Sequence, residues 1–192
     1  KKKKKWHASF ADVNNDGRAD LIIAKGNVDQ MPGMAMRDPN NLLIQRADGR
    51  FTEVGDTAGV ADIARSRGAA LADFDGDGLL DLAVVNRRAP MRMYRNVTPE
   101  AGRFVRIAVR GAGGNRFAVG ARVIVTVGDA VQSQQITLGG GHAGAVLAPL
   151  HFGIGDAAEA SVQVRWPDGT KSDPMRMTAG DEITVTQFFF FF

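Results

Sequence analysis

Asp73, Asp75, Asp77 and Asp81 stand at positions one, three, five and nine of Asp73-Phe74-Asp75-Gly76-Asp77-Gly78-Leu79-Leu80-Asp81-Leu82, with a glycine at position six. Clustered carboxylates and one backbone carbonyl, here that of Leu79, supply the hard oxygen shell of about six to eight ligands that calcium takes. The glycine permits the sharp turn that wraps the chain around an ion. The spacing recurs 61 residues earlier in Asp12-Val13-Asn14-Asn15-Asp16-Gly17-Arg18-Ala19-Asp20-Leu21. There the candidate ligands are Asp12, Asn14, Asp16, the Arg18 carbonyl and Asp20. Two calcium ions are expected, one per loop.

An EF-hand would place a bidentate Glu at position twelve and helices on both sides. Position twelve is Ile23 in one copy and Val84 in the other, and the flanks are β-branched and alternating. The position-nine Asp must therefore bind directly. The competing interpretation is a solvated acidic turn without metal, but the crowded carboxylates of the second loop repel one another without a cation. Asn14 removes one charge from the first loop, which predicts weaker binding there. Loops that surround their own ion suggest a structural role, since catalytic metals keep a position open for substrate.

The elements that must position these loops are short strands. Ser9 to Ala11 enters the first loop and Asp20 to Ala24 leaves it. A long connection, Lys25 to Asn40, carries Pro32, Pro39, Gly26 and Gly33. Asn41 to Gln45 and Phe51 to Val54 then flank an Ala47-Asp48-Gly49 turn. Arg67 to Ala72 enters the second loop, Asp81 to Val85 leaves it, and Met91 to Arg95 follows. About four antiparallel strands per repeat is the arithmetic of a propeller blade, and two blades do not close a ring. From Arg103 the texture changes to cleaner alternation in Phe104 to Val109 and Ala121 to Val127. Further strands are predicted at Gln134 to Leu138, Val162 to Trp166 and Glu182 to Thr186. The expected fold is all-β. Residues 6–102 form a partial β-propeller of two blades, and residues 103–187 a C-terminal antiparallel sandwich-like domain.

Lys1 to Lys5 and Phe188 to Phe192 are homopolymer runs that do not suit a folded element, and are expected to be tags or placeholders. Without the Lys run the balance changes from 24 basic and 21 acidic side chains to 19 and 21, a net −2. The basic character then disappears, and with it the support for nucleic-acid binding. No apolar run is long enough to span a bilayer. The body starts at Trp6, almost on the first loop, as expected of a chain whose beginning is missing. With no Cys there is neither a disulfide nor a thiolate site.

The stretch from Trp6 to Asn96 resembles the FG-GAP/VCBS repeat of integrin-like β-propellers. Its calcium loops, Asn41-Leu42-Leu43, Asp48-Gly49-Arg50-Phe51 and Ala58-Gly59-Val60 carry the likeness. The C-terminal half resembles the ASPIC/UnbV domain of cartilage-acidic-protein-like proteins. The residues that carry it are Asn115-Arg116, Val119 to Val123, Gly139-Gly140-Gly141-His142, Leu150 to Gly155 and Val164 to Gly169. The resemblance implies a secreted, periplasmic or cell-surface calcium-binding protein of adhesion or protein interaction, and not an enzyme. The Ala/Arg/Gly-rich composition suggests a bacterial source. The partner is expected to be a protein or further subunits of an assembly, with no nucleic acid and no membrane span. No glycan partner is specified.

Other constellations carry less. Gly139 to Gly144 matches GxGxxG, but the strand-like Val146 to Phe152 follows where a dinucleotide site needs a helix. An enzyme site would have to be built in the C-terminal domain around His142, His151 and Asp168, which lie at no recognisable motif spacing. Met31, Met34 and Met36 suit loop packing or a contact surface. Asn96-Val97-Thr98 is formally a glycosylation sequon, discounted because Pro99 follows it. An alternative to the free-standing interaction module is a structural subunit whose open blades are completed by neighbours.

Overall fold

The computed structural model describes residues 5–27, 36–142 and 144–188. Among them every regular element is a strand, as the alternating patterns predict. Met31 and Met34 lie outside the described residues, as do Lys1 to Lys4 and Phe189 to Phe192. The chain divides into two compact units that interleave along the sequence. The first holds residues up to Val13, Arg18–Thr98 and Gly139–Val146; the second holds Asn14–Gly17, Pro99–Leu138 and the chain from Leu147 onward.

In the first unit, β1 (Lys5–Ala11), β2 (Asp20–Lys25), β4 (Asn41–Gln45) and β5 (Phe51–Glu53) form one four-stranded sheet in the order β1-β2-β4-β5. All its pairings are antiparallel, which is the blade the repeat predicts. The second copy has three strands, β7 (Ser66–Ala72), β8 (Asp81–Asn86) and β9 (Arg92–Tyr94). A two-stranded ribbon of β3 (Asp38–Pro39) and β6 (Ile63–Ala64) lies in the connections. Register repeats with the sequence: Ala8 faces Ile23 and Phe10 faces Leu21, as Ala69 faces Val84 and Leu71 faces Leu82.

The blades bury one small apolar cluster. Ile22 and Ala24 meet Ala69, Leu82 and Val84, with Val60 from the connection and Leu42, Leu71 and Tyr94 at the margin. Much of what else is buried in this unit is polar, including His7, Asp20, Lys25, Asn27, Asp38, Asn40, Arg67 and Asp81. Such groups are tolerated inside only with partners. Lys25 has Asp38 at 3.8 Å, and Arg67 donates to the carbonyls of Ser66 and Asn27.

The second unit is a sandwich of two sheets. One is β13-β10-β16, from β13 (Leu150–Gly155), β10 (Arg103–Arg110) and β16 (Glu182–Thr186). The other is β12-β11-β14-β15, from β12 (Ala130–Gln135), β11 (Arg122–Val127), β14 (Glu159–Arg165) and β15 (Met175–Thr178). The inward positions of the alternating strands fill one shared core: Val105 and Ile107 of β10, Val123 and Val125 of β11, Phe152 of β13, Val162 and Val164 of β14. One pairing departs from the antiparallel expectation, since β16 runs parallel to β10 from Glu182 opposite Arg106 to Thr186 opposite Arg110. A chain arriving from the other sheet enters this edge without a hairpin, so nothing forces the antiparallel sense. The strand predicted at Gln134 to Leu138 is displaced to Ala130–Gln135 because a two-residue Gly128-Asp129 turn pairs Val127 with Ala130.

Candidate metal centre

The position-nine carboxylate does the same thing in both copies. Asp81 follows the second loop at the first residue of β8 and is buried. One of its oxygens accepts from the Phe74 amide at 3.0 Å and the other from the Asn96 amide at 2.7 Å. Asp20 at the head of β2 accepts from the Val13 amide at 3.0 Å and the Gln45 amide at 2.8 Å. Each carboxylate thus ties the start of its loop to the end of the blade's third strand. This strapping role was not visible in the spacing, because Gln45 and Asn96 lie outside the motif.

The second loop coils around its own side chains. Asp73 accepts from the Gly76 amide at 2.8 Å and the Gly78 amide at 2.9 Å, and Asp77 accepts from the Leu79 amide at 3.0 Å. Gly76 and Gly78 both take left-handed backbone, with φ of 79° and 91°. In the first loop those two places belong to Asn15, at 58°, and Gly17, at 84°. Asparagine is among the few side-chain-bearing residues that enter this region readily.

Asp73, Asp75 and Asp81 each turn an oxygen into one space, and those oxygens lie within 4.8 Å of one another. Two calcium ligands at 2.3–2.6 Å from an ion are at most about 5 Å apart, so the three carboxylates fit one ion. Asp77 is engaged elsewhere. The Arg95 guanidinium, just past β9, reaches Asp75 at 2.6 Å and Asp77 at 3.1 Å. The hydrogen bond to Asp77 and the charge of Asp75 hold the Arg95 pKa above its ordinary value. Arg95 is exposed, so it is a soft counter-charge at the mouth of the loop.

The first-loop candidates fall in both units and are described separately. Asp12 and Asp20 belong to the first unit and are buried. Asn14 and Asp16 belong to the second, where the Asn14 amide donates to Asp16 at 2.9 Å. Arg18, whose carbonyl was the predicted ligand, sends its side chain to the Gln45 carbonyl at 3.3 Å.

The histidines have occupations of their own. His151 is buried and stacked on Phe104 with ring centroids 5.2 Å apart, and its Nε2 meets the Asn15 side-chain oxygen at 2.7 Å. His142 lies 5.0 Å from the Trp6 ring, and its amide donates to the Trp6 carbonyl. Asp168 caps a turn, where hydrogen bonds from Thr170 hold its carboxyl below the usual range. Two glycines of the GxGxxG match, Gly141 and Gly144, serve close packing. A Cβ on Gly141 would lie 2.6 Å from the His7 Nδ1, and one on Gly144 2.8 Å from the His7 ring. Asn96, read from sequence as a sequon, sends its amide to the Val13 and Leu80 carbonyls and accepts from Thr98.

The FG-GAP-like repeat family model matches residues 12–84, and the ASPIC and UnbV model matches residues 111–188. In particular, the chain is similar to cartilage acidic protein 1 of Mus musculus, 28% identical over 163 residues and 83% of this chain. The Homo sapiens protein of that name is likewise 28% identical over 163 residues, and that of Xenopus tropicalis 32% over 109 residues, 55% of this chain. The aligned stretches cover 25%, 24% and 17% of those proteins, so the chain spans at most about a quarter of these relatives. The resemblance read from the motifs is borne out. Among the described residues no helix is long and apolar enough to cross a membrane.

Proposed function

We propose that the chain is an exported, non-enzymatic interaction module whose blades are made rigid by calcium and whose work is to present a surface to another protein. The observation that carries this is the convergence of Asp73, Asp75 and Asp81 on one space beside a carboxylate strap that both copies repeat. Bound calcium supplies the charge that offsets the repulsion among these carboxylates. The chain's own contribution is to gather the ligands: Gly76 and Gly78 let the loop curl, and Asp81 anchors it to the blade. Asp77 and the Leu79 carbonyl complete the set in the second loop. Asp12, Asn14, Asp16, the Arg18 carbonyl and Asp20 are the corresponding set in the first. Export accords with the printed name of the relatives, which places them in cartilage.

The test is thermal unfolding in EGTA and in added calcium. A ligand held only by the folded state at about 100 times its Kd should raise the midpoint by roughly 5–10 °C in a chain of this size. Asp75→Ala should remove most of that response and Asp168→Ala should leave it. A midpoint indifferent to both additions would overturn the reading.

A further inference from the structure

The outer face of the sandwich's larger sheet carries a row of like charges. Arg122 of β11 faces Arg165 of β14, and Arg165 faces Lys171 across an isolated bridge just past the turn at residues 167–170. Residues paired in this way share one face of a sheet with Cα atoms about 5 Å apart, so the three cations stand in a line about 10 Å long. All three are exposed, while their neighbours Val123 and Val164 turn into the core. Among the described residues none of the three has an ion pair, and Arg122 donates to the Ser133 hydroxyl at 3.4 Å. Two other cations of the sandwich, Arg106 and Arg176, are matched by Glu182 and Glu159.

The same end of the sandwich gathers more. β10 stops at Arg110, β11 starts at Arg122, and the loop of residues 111–121 between them carries Arg116. Arg110 and Arg116 are exposed and have no ion pair among the described residues. The carboxylate of the neighbouring turn, Asp168, has its oxygens taken by Thr170 and Gln187. Phe117, next to Arg116, is 50% exposed. Like charges directly opposite one another weaken a sheet unless an anion meets them. Charges taken out of water need partners, so a surface that covers this row must itself be acidic.

We infer that this end of the sandwich docks an acidic segment of a partner protein, with its carboxylates on Arg122, Arg165 and Lys171 and an apolar anchor supplied by Phe117 of the adjoining loop. Guanidinium forks take carboxylates through paired hydrogen bonds, and arginine and aromatic side chains are the types that anchor protein interfaces. A single-stranded nucleic acid would need rings to stack on along the row. Its neighbours on the sheet are instead Gln135, Ser133, Ile124 and Gln163. The inference rests on the interaction-module reading and names the chemistry of that module's partner.

Fluorescence anisotropy with a labelled peptide that repeats Glu-Glu-Leu, at about 0.15 M salt, tests it. The unmodified chain should bind the peptide. Arg122→Gln, Arg165→Gln and Lys171→Gln together should weaken binding at least ~10-fold, since each exposed ion pair contributes up to about fivefold. Arg46→Gln, Arg50→Gln and Arg88→Gln remove the same charge from exposed sites of the first unit and should change it less than about twofold. Phe117→Ser should weaken it about fivefold and leave an all-Glu peptide unaffected. The Lys1 to Lys5 run is common to every variant, so differences between variants report the row. The thermal midpoint of the row variant should hold or rise by about 1–4 °C, as facing like charges are removed, which shows that it folds. Peptide binding that survives the row variant, that falls equally with the control variant, or that Phe117→Ser leaves unchanged would each overturn the inference. So would a heparin fragment or a single-stranded DNA that depends on the row more steeply than the peptide does. The calcium response of the thermal midpoint, measured on the same samples, shows separately whether the metal-stabilised module stands.

Discussion

Asp81 has two duties on one side chain. One of its oxygens faces the space shared with Asp73 and Asp75, and the two oxygens receive the Phe74 and Asn96 backbone amides. Asp81→Asn keeps one acceptor and turns an NH2 group toward an amide donor. The change should cost about 1–3 kcal/mol in urea unfolding even in EGTA, since a buried donor is left unmatched. A loss seen only with calcium present would show that the strap carries no weight. Arg95 acts in the opposite sense. It must leave Asp75 and Asp77 before those groups can serve an ion, so Arg95→Ala should tighten calcium binding about two- to fivefold by titration calorimetry. His7 adds a pH dependence. Burial lowers its pKa below 6.5, so the unfolded chain takes up the proton first as pH falls. The stability of the neutral ring is complete above 6.5 and is lost as the pH drops through that value toward the lower folded pKa. Unfolding midpoints followed from about pH 7 to pH 5 should fall, and His7→Gln should flatten the slope.

At the scale of elements, the sequence declared most of the fold wherever one face of a strand is wet and the other dry. β10 alternates buried and half-buried residues between its exposed ends, with Val105, Ile107 and Val109 turned inward. β12 was misplaced because none of its residues, Ala130–Gln135, is buried, so the strand has no dry face to read. β15 was missed for its shortness, although Met177 is buried. The two acidic loops were legible because their spacing recurs 61 residues apart. Arg95 and Asn96 were not, because the contacts that give them meaning come from residues 15 to 20 positions earlier, and from Val13. The turn was readable at Gly141 and Gly144, but not the packing of those glycines on His7. Gly141→Ala should loosen it, since its Cβ would fall 2.7 Å from the His7 Cα, and should cost about 1–3 kcal/mol in denaturant unfolding. A neutral result would mean that the segment has room to lift.

Across the whole molecule, the two units do not follow a single cut in the chain. The sandwich includes Asn14–Gly17, whose Asn15 side chain donates to the Gly102 carbonyl at 3.2 Å and meets His151 at 2.7 Å. The Asn15 and Gly155 backbones join as well, at 2.8 Å. A fragment from Pro99 onward should therefore melt below the same residues in the intact chain. Asn15→Ala should weaken the intact chain by about 1–3 kcal/mol, through a buried His151 deprived of its acceptor. Equal melting of fragment and chain would show that these four residues add nothing.

Asn15 and His151 are separated by 136 positions, and that distance is also a time. A ribosome adding about 5–20 residues per second needs roughly 7–30 s to deliver His151 after Asn15. Through that interval the first loop exists without the residue that finally holds its fourth position. During synthesis Asn15 must wait for the strand that carries its partner His151.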